Sequence, residues 1–282
     1  MEVFILSFLF LVGISVGSFV NVVEMRLFKR MDFVKKRSHC PKCKEILRAW
    51  DLLPLLSFSM LKGRCRYCET SVSRQYPIVE FLSGVLFMLS GWYVTSKMHI
   101  YGFSEFSFAL CISVFIGLLL SLFLFFAIYD VKHQIVPNRV VVPGIIFAFC
   151  LDLILAVTMH LSPSHGVLVF FEDFHLLWNI TAGVLGGLFI ISIIVITKGK
   201  GMGGGDLKLV ILMGLLLGPK KFIIAMYIAV ISGSVGGVIW GLYKGKLKGL
   251  RIPFGLFLSF GAIIAFLIGM EVWRLFFGSF LL

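Results

Sequence analysis

The chain has 282 residues, of which 59% are hydrophobic and only 14% are charged, and its formal net charge is +12. A soluble domain is about 45–50% apolar and about 25% charged, so this composition excludes an ordinary soluble fold. The apolar residues form continuous runs of about 20 residues, the length that crosses a bilayer as a helix, and not the alternating pattern of a membrane β-barrel.

Eight apolar runs predict an all-α polytopic membrane protein of about eight transmembrane helices. In chain order they are 3–25, 77–96, 106–129, 139–159, 175–197, 207–218, 222–243 and 253–277. The sixth run is short, and Gly218-Pro219 directly after it indicates a turn between two helices. Without a real break at this point the number of helices would be seven.

The basic residues lie almost entirely on one side of this arrangement. Segments 26–76, 130–139, 198–208 and 244–251 follow every second helix, and together they carry 22 of the 26 Lys and Arg residues. Because positively charged loops stay in the cytoplasm, these segments are predicted to be cytoplasmic. Topology therefore accounts for the net charge. The expected partner is the lipid bilayer, and no nucleic acid is expected.

The longest polar segment, 26–76, is predicted to be a small cytoplasmic domain. It would separate a first helix, 1–25, from a membrane domain of about seven helices, 77–282. Two Cys-x-x-Cys pairs lie in it, 21 residues apart: Cys40, Cys43, Cys65 and Cys68. This spacing is typical of a structural tetrahedral zinc site. Disulfides are disfavoured in the cytoplasm, but a redox pair and a loop without metal remain open as alternatives.

Two aspartates lie at the predicted cytoplasmic ends of different helices. Asp130 closes the third apolar run, and Asp206 opens the sixth run after the glycine-rich sequence 201–205. Two carboxylates that converge can share a proton and supply an acid and a base, which water attack on a peptide bond requires. Buried acids would also suit a proton-coupled transporter. Asp152, alone within the fourth run, could be a proton site or a helix-packing group, and packing is the favoured interpretation.

These motifs resemble those of the bacterial type IV prepilin peptidase family. Its Gly-x-Gly-Asp motif and the lysine that follows are similar to Gly203, Gly205, Asp206 and Lys208. Further resemblance lies in the opening sequence 17–23, in the cysteine loop, and in Asp130 followed by Val136-Pro137-Asn138. One departure occurs at 252–256, where the family's Ile-Pro-Phe-Gly-Pro ends in Leu256 instead of proline.

The resemblance implies an aspartyl endopeptidase of the bacterial inner membrane, with its active site facing the cytoplasm. It would remove the short basic leader from type IV prepilins or from the pseudopilins of type II secretion. Asp130 and Asp206 would be the catalytic pair, supported by Gly203, Gly205 and Lys208. Family members with a cysteine loop also methylate the new N-terminus with S-adenosylmethionine. The alternatives are a related intramembrane aspartyl protease with another substrate, and a non-enzymatic transporter or scaffold.

Overall fold

The computed structural model describes residues 2–31, 38–97, 103–161, 176–199, 202–245 and 252–278. Gly201 and the basic residues of 246–251, which the sequence analysis used, lie outside these ranges. The helices in the described ranges are α1 (Glu2–Phe28), α2 (Leu56–Met60), α3 (Gln75–Lys97), α4 (Phe103–His133), α5 (Asn138–Leu161), α6 (Leu176–Ile196), α7 (Gly204–Tyr243) and α8 (Phe254–Phe277), with a 3₁₀ helix at Ala49–Leu52.

Seven of these helices are long and apolar enough to cross a membrane. They begin and end close to the predicted apolar runs, so the prediction of an all-α polytopic membrane protein is confirmed. Contacts divide the chain into two compact units, Met1–Phe125 and Phe126–Leu282, and α4 runs through the boundary between them.

In the first unit, α1 and α3 pack with their backbones in close approach. A Cβ atom added at Gly13 would lie 2.7 Å from the Ser83 carbonyl oxygen, and one added at Gly17 would lie 2.7 Å from the Glu80 Cα. The Ser83 hydroxyl also hydrogen-bonds Ser121 on α4, at 3.1 Å. Small residues and buried hydroxyls are the means by which helices associate where water is absent.

In the second unit, α7 consists of two helical segments joined at Gly218. Gly218 has φ 68° and ψ 171°, a left-handed conformation that glycine adopts without strain. The whole of α7 spans 40 residues, which at about 1.5 Å per residue is about twice the thickness of the bilayer core. The predicted turn at Gly218-Pro219 is therefore present, and α7 supplies two of the predicted eight helices.

The contacts of α7 show that its second segment runs back along α8. Lys221, just after the turn, contacts Gly269 in the second half of α8, whereas Gly237 contacts Ile252, just before α8 begins. The first segment starts beside Val136, which a Cβ atom at Gly205 would approach to 3.0 Å. The chain therefore leaves the level of residue 136, turns at Gly218 and returns before α8 begins.

The first segment of α7 packs on α6 where two glycines face each other. A Cβ atom added at Gly214 would overlap the Cα and N atoms of Gly183. We expect Gly214→Ala to destabilise the protein by about 1–3 kcal/mol, because backbone must move to relieve the overlap. The measurement is the thermal unfolding midpoint of the detergent-solubilised protein.

The matched control is Gly144→Ala on α5, where the added Cβ would lie 3.5 Å from a flexible Leu212 methyl group. This change should leave the midpoint unchanged or raise it slightly, since alanine favours the helix. Equal effects of the two substitutions would contradict the packing described for α6 and α7.

Candidate functional site

Asp130 is buried near the end of α4, with its carboxyl group against the start of α8. The backbone N–H groups of Gly255 and Leu256 hydrogen-bond this carboxyl group. A Cβ atom at Gly255 would lie 2.8 Å from Asp130 Oδ2, so glycine is needed for the carboxyl group to reach the backbone. Oδ2 itself is buried and has no hydrogen-bond partner among the described residues.

Asp206 is the third residue of α7, and its carboxylate accepts a hydrogen bond from the backbone N–H of Gly203 at 3.1 Å. An acceptor at this position satisfies a donor that the helix itself leaves unpaired. The carboxyl groups of Asp206 and Asp130 lie within electrostatic range of each other. The fold thus brings together two acids that are 76 residues apart in the sequence.

The residues proposed to support Asp206 have separate structural roles. Gly205 packs on Val136 in the turn between α4 and α5. Lys208 donates a hydrogen bond from Nζ to Asn138 Oδ1 at 2.7 Å, which ties α7 to the start of α5. Gly203 is exposed, and a Cβ atom there would have its nearest contacts at 3.9 Å. Its main chain is therefore open beside the Asp206 carboxylate.

Two residues of this site, Gly255 and Leu256, were not predicted as site residues from the sequence. They lie in the sequence 252–256, where the family resemblance has its departure at Leu256. A glycine followed by an apolar residue at a helix start carries no local signal for contact with a distant carboxyl group. The resemblance was the one sequence signal that pointed to them.

Asp152 is buried on α5 and has a partner on α6. Asn179 donates a hydrogen bond from Nδ2 to Asp152 Oδ1 at 3.0 Å. This contact joins the two helices at membrane depth, which agrees with the interpretation of Asp152 as a helix-packing group.

The four predicted cysteines form a cluster in the first unit. The pairs lie in two tight turns of the same geometry, closed by bridges between His39 and Ile46 and between Arg64 and Ser71. Each first cysteine is followed four positions later by a residue of positive φ, 60° at Lys44 and 55° at Glu69. The repeated turn presents two sulfur atoms from each pair to the same point.

The spacing of the sulfur atoms fits a tetrahedral metal ion. All four Sγ atoms lie within 4.8 Å of one another, and those of Cys40 and Cys68 are 3.8 Å apart. A zinc–sulfur bond of about 2.3 Å in tetrahedral geometry places the sulfur atoms about 3.8 Å apart. The cysteines can therefore hold a metal ion.

The thiols of Cys68 and Cys43 ionise unequally when no metal ion lies between them. Hydrogen bonding to the Thr70 hydroxyl and backbone N–H lowers the pKa of Cys68 to about 6. The backbone N–H of Glu45 opposes the change at Cys43, but burial and the neighbouring thiols raise the pKa of Cys43 to about 11. Thiolates so close together repel one another, and a divalent cation at their centre would remove this repulsion.

The fold and the two acids define the class of this protein. It is a polytopic membrane protein in which backbone N–H groups at helix starts bind two carboxyl groups, and it also has a four-cysteine cluster.

Residues 11–94 match the bacterial peptidase A24 N-terminal domain, and residues 117–241 match the type IV leader peptidase family. The chain therefore belongs to the type IV leader peptidase family, which confirms the family and the membrane peptidase class inferred from the sequence.

Relatives over nearly the full length carry the same name, prepilin leader peptidase/N-methyltransferase. The protein of Bacillus subtilis (strain 168) is 30% identical over 272 residues, covering 95% of this chain and 96% of the relative. That of Neisseria gonorrhoeae is 28% identical, covering 93% and 90%, and that of Pseudomonas aeruginosa is 27% identical, covering 94% and 90%. No solved structure matches the chain at a significant level.

We expect one metal ion per chain in the purified protein and none after Cys65→Ser, because a site that has lost a buried thiolate binds metal far more weakly. Element analysis of the protein in detergent measures the metal content, and hydrogen exchange at residues 40–70 should become faster in the variant. Cys150→Ser on α5, outside the cluster and exposed, is the control and should keep the metal. A metal-free wild-type protein would refute the assignment.

Proposed function

We propose that this protein is a membrane aspartyl endopeptidase that removes the short basic leader from type IV prepilins or pseudopilins. We propose further that it methylates the N-terminus that cleavage exposes. The observation that carries the peptidase proposal is the approach of Asp130 and Asp206 at two helix starts. The shared name of the full-length relatives supports both activities.

In this proposal, Asp130 and Asp206 hold one catalytic proton between them. The carboxylate removes a proton from a water molecule, whose oxygen attacks the carbonyl carbon of the scissile peptide bond. The carboxylic acid then protonates the leaving nitrogen as the carbon–nitrogen bond breaks. No covalent intermediate with the enzyme forms, and the proton taken from water replaces the one that was donated.

Helix ends do not decide which aspartate acts as the base. Asp206 lies at the start of α7, where the helix dipole favours negative charge. Asp130 ends α4, but the N–H groups at the start of α8 also point at its carboxyl group. Both acids are thus stabilised by helix starts, and the helix dipole favours neither of them as the base. The two groups act as one coupled pair.

The proposed orientation places the aspartates and the cysteine segment, 26–76, in the cytoplasm of a bacterium, at the inner membrane. This orientation is supported by the excess of Lys and Arg residues in the loops on that side of the membrane. A leader that has not crossed the membrane would then reach the aspartates, while the apolar segment that follows it remains in the bilayer. The open main chain at Gly203 and Gly204, where added Cβ atoms meet nothing closer than 3.9 Å, leaves room for an extended peptide.

Two further groups belong to this proposal. Zinc is the proposed metal of the cysteine cluster, because four thiolates in a closed tetrahedron are characteristic of structural zinc and leave no position for catalysis. S-adenosylmethionine is the proposed methyl donor, and the name of the relatives is the support for it. The described part of the chain contains no strand followed by a glycine-rich loop, so a dinucleotide-type donor pocket is not proposed.

We expect Asp206→Asn and Asp130→Asn each to lower leader cleavage by about 10²- to 10⁴-fold, because an amide can neither take nor give the catalytic proton. The assay is intact-mass spectrometry of a prepilin-type substrate incubated with membranes and S-adenosylmethionine. Asp152→Asn is the matched control, since the new amide oxygen can still accept the Asn179 hydrogen bond, and it should cleave normally.

The outcomes of this assay separate the competing functions. A substrate that loses its leader and gains one methyl group with wild type supports both activities. Cleavage that survives in both aspartate variants would exclude the proposed pair. A substrate left intact by the wild type would instead favour an aspartyl protease with another substrate, or a transporter or scaffold.

We expect Leu256→Pro to leave the rate of cleavage close to that of wild type, because the family's motif carries proline at this position and the Gly255 N–H still hydrogen-bonds Asp130. Proline is also tolerated in the first turn of a helix. The measurement is kcat with the same substrate, and Leu256→Ala, which keeps the N–H, is the control. A large loss in Leu256→Pro but not in Leu256→Ala would show instead that the Leu256 N–H is required.

A further inference from the structure

The 3₁₀ helix and α2 expose large apolar side chains in a segment that is otherwise polar. Trp50 is 74% exposed, Leu56 is 60% exposed and Met60 is 79% exposed. Leu56 and Met60 are four residues apart on α2 and therefore share a face. Phe58, between them, points the other way and lies against Gly63. We call the exposed apolar side chains of this segment the apolar face of 50–60.

A strained turn connects this segment to the membrane helices. Leu55 has φ 60° and ψ −45°, and the N–H of Leu56 hydrogen-bonds the Pro54 carbonyl at 2.6 Å, which makes a γ-turn of the rare kind. The N–H of Leu55 donates to Glu80 Oε2 on α3 at 2.8 Å. A large side chain in such a conformation persists only where surrounding contacts impose it.

The position of Glu80 gives the depth of this contact. Glu80 is five residues into α3, about 7.5 Å from the helix start, at about 1.5 Å per residue. Its other partner, Ser18, lies ten residues before the end of α1, about 15 Å along that helix. Leu55, the residue before α2, is therefore not above the ends of α1 and α3 but beside them. A bilayer crossed by these two helices would change from headgroups to acyl chains near this level.

The 3₁₀ helix that carries Trp50 is held in place by a buried acid. The Asp51 carboxylate accepts hydrogen bonds from the Arg66 guanidinium at 2.6 Å, the Tyr67 hydroxyl at 3.1 Å and the Arg48 backbone N–H at 3.1 Å. Burial works to raise the pKa of Asp51, but these donors outweigh it and the pKa lies below its ordinary value. Trp50 is therefore exposed on a fixed turn.

The charge around the apolar face suits a membrane surface. The described residues 38–74 contain seven Lys and Arg residues against three Asp and Glu residues. Tryptophan and leucine at headgroup depth, flanked by basic side chains, are characteristic of segments that lie in the interface of an anionic bilayer.

We propose that residues 50–60 are an interfacial anchor: the apolar face of 50–60 lies in the bilayer that α1 and α3 cross, with Trp50, Leu56 and Met60 among lipid chains and the basic residues at anionic headgroups. The cysteine cluster would then be held at the membrane surface and not on a free loop. This assignment does not depend on the proposed peptidase activity.

The test uses the full chain in nanodiscs of anionic lipid, with lipids brominated near the headgroup end of the acyl chain as fluorescence quenchers. The signal of Trp50 is the difference between wild type and Trp50→Phe. We expect brominated lipid to quench this signal strongly and aqueous iodide to quench it little. Trp92, 54% exposed on α3, gives the matched lipid control through Trp92→Phe.

A second variant keeps the test decisive if Trp50→Phe disturbs the turn. In Met60→Trp, the added tryptophan should be quenched by brominated lipid in the same way. A signal at both positions that iodide quenches and brominated lipid does not would overturn the proposal. So would a signal that is shielded from iodide only after a prepilin-type substrate is added, since the face would then be a docking surface for protein.

Discussion

A carboxyl group at membrane depth needs hydrogen-bond donors, and for Asp130 and Asp206 the donors are backbone N–H groups at the starts of helices. Beyond the first turn every N–H is bonded within its own helix, and the bilayer core offers no water in exchange. The start of α7 supplies an N–H to Asp206, and the start of α8 supplies two to Asp130. Glycine at 255 permits this, because any side chain there would occupy the space of the Asp130 carboxyl group.

The starts of α7 and α8 can both reach these carboxyl groups only because the chain reverses its direction across the membrane at Gly218. Two successive membrane helices in a chain normally begin on opposite sides of the bilayer. The starts of α7 and α8 can lie near the same carboxyl groups because the chain goes out and returns within α7. The contacts of Lys221 with Gly269 and of Gly237 with Ile252 show that the second segment of α7 runs back along α8. The left-handed glycine at 218, remote from the acids, thus allows the starts of α7 and α8 to lie near the same carboxyl groups.

The sequence was sufficient to predict the helices, because long apolar runs have few alternatives in a bilayer. It also predicted Asp130, Asp206 and the four cysteines, since acids at membrane depth and paired Cys-x-x-Cys spacings are rare without a role. The contacts between helices could not be predicted. A helix that is apolar all round shows no periodicity that marks its packed face. Two contacts that could not be predicted for this reason are the approach of Gly255 to Asp130 and the hydrogen bond from Leu55 to Glu80.

The glycines before Asp206 illustrate the same limit within one motif. The sequence alone does not distinguish Gly203, Gly204 and Gly205 from one another. In the structure, Gly205 is packed on Val136 and fixes the start of α7 against the turn after Asp130. Gly203 and Gly204 have open space where a side chain would be. Gly205 is therefore part of the packing between the start of α7 and the turn after α4, while Gly203 and Gly204 leave main chain uncovered beside Asp206. Binding and cleavage of an extended peptide would need both features: two acids in a fixed position, and exposed main chain beside them.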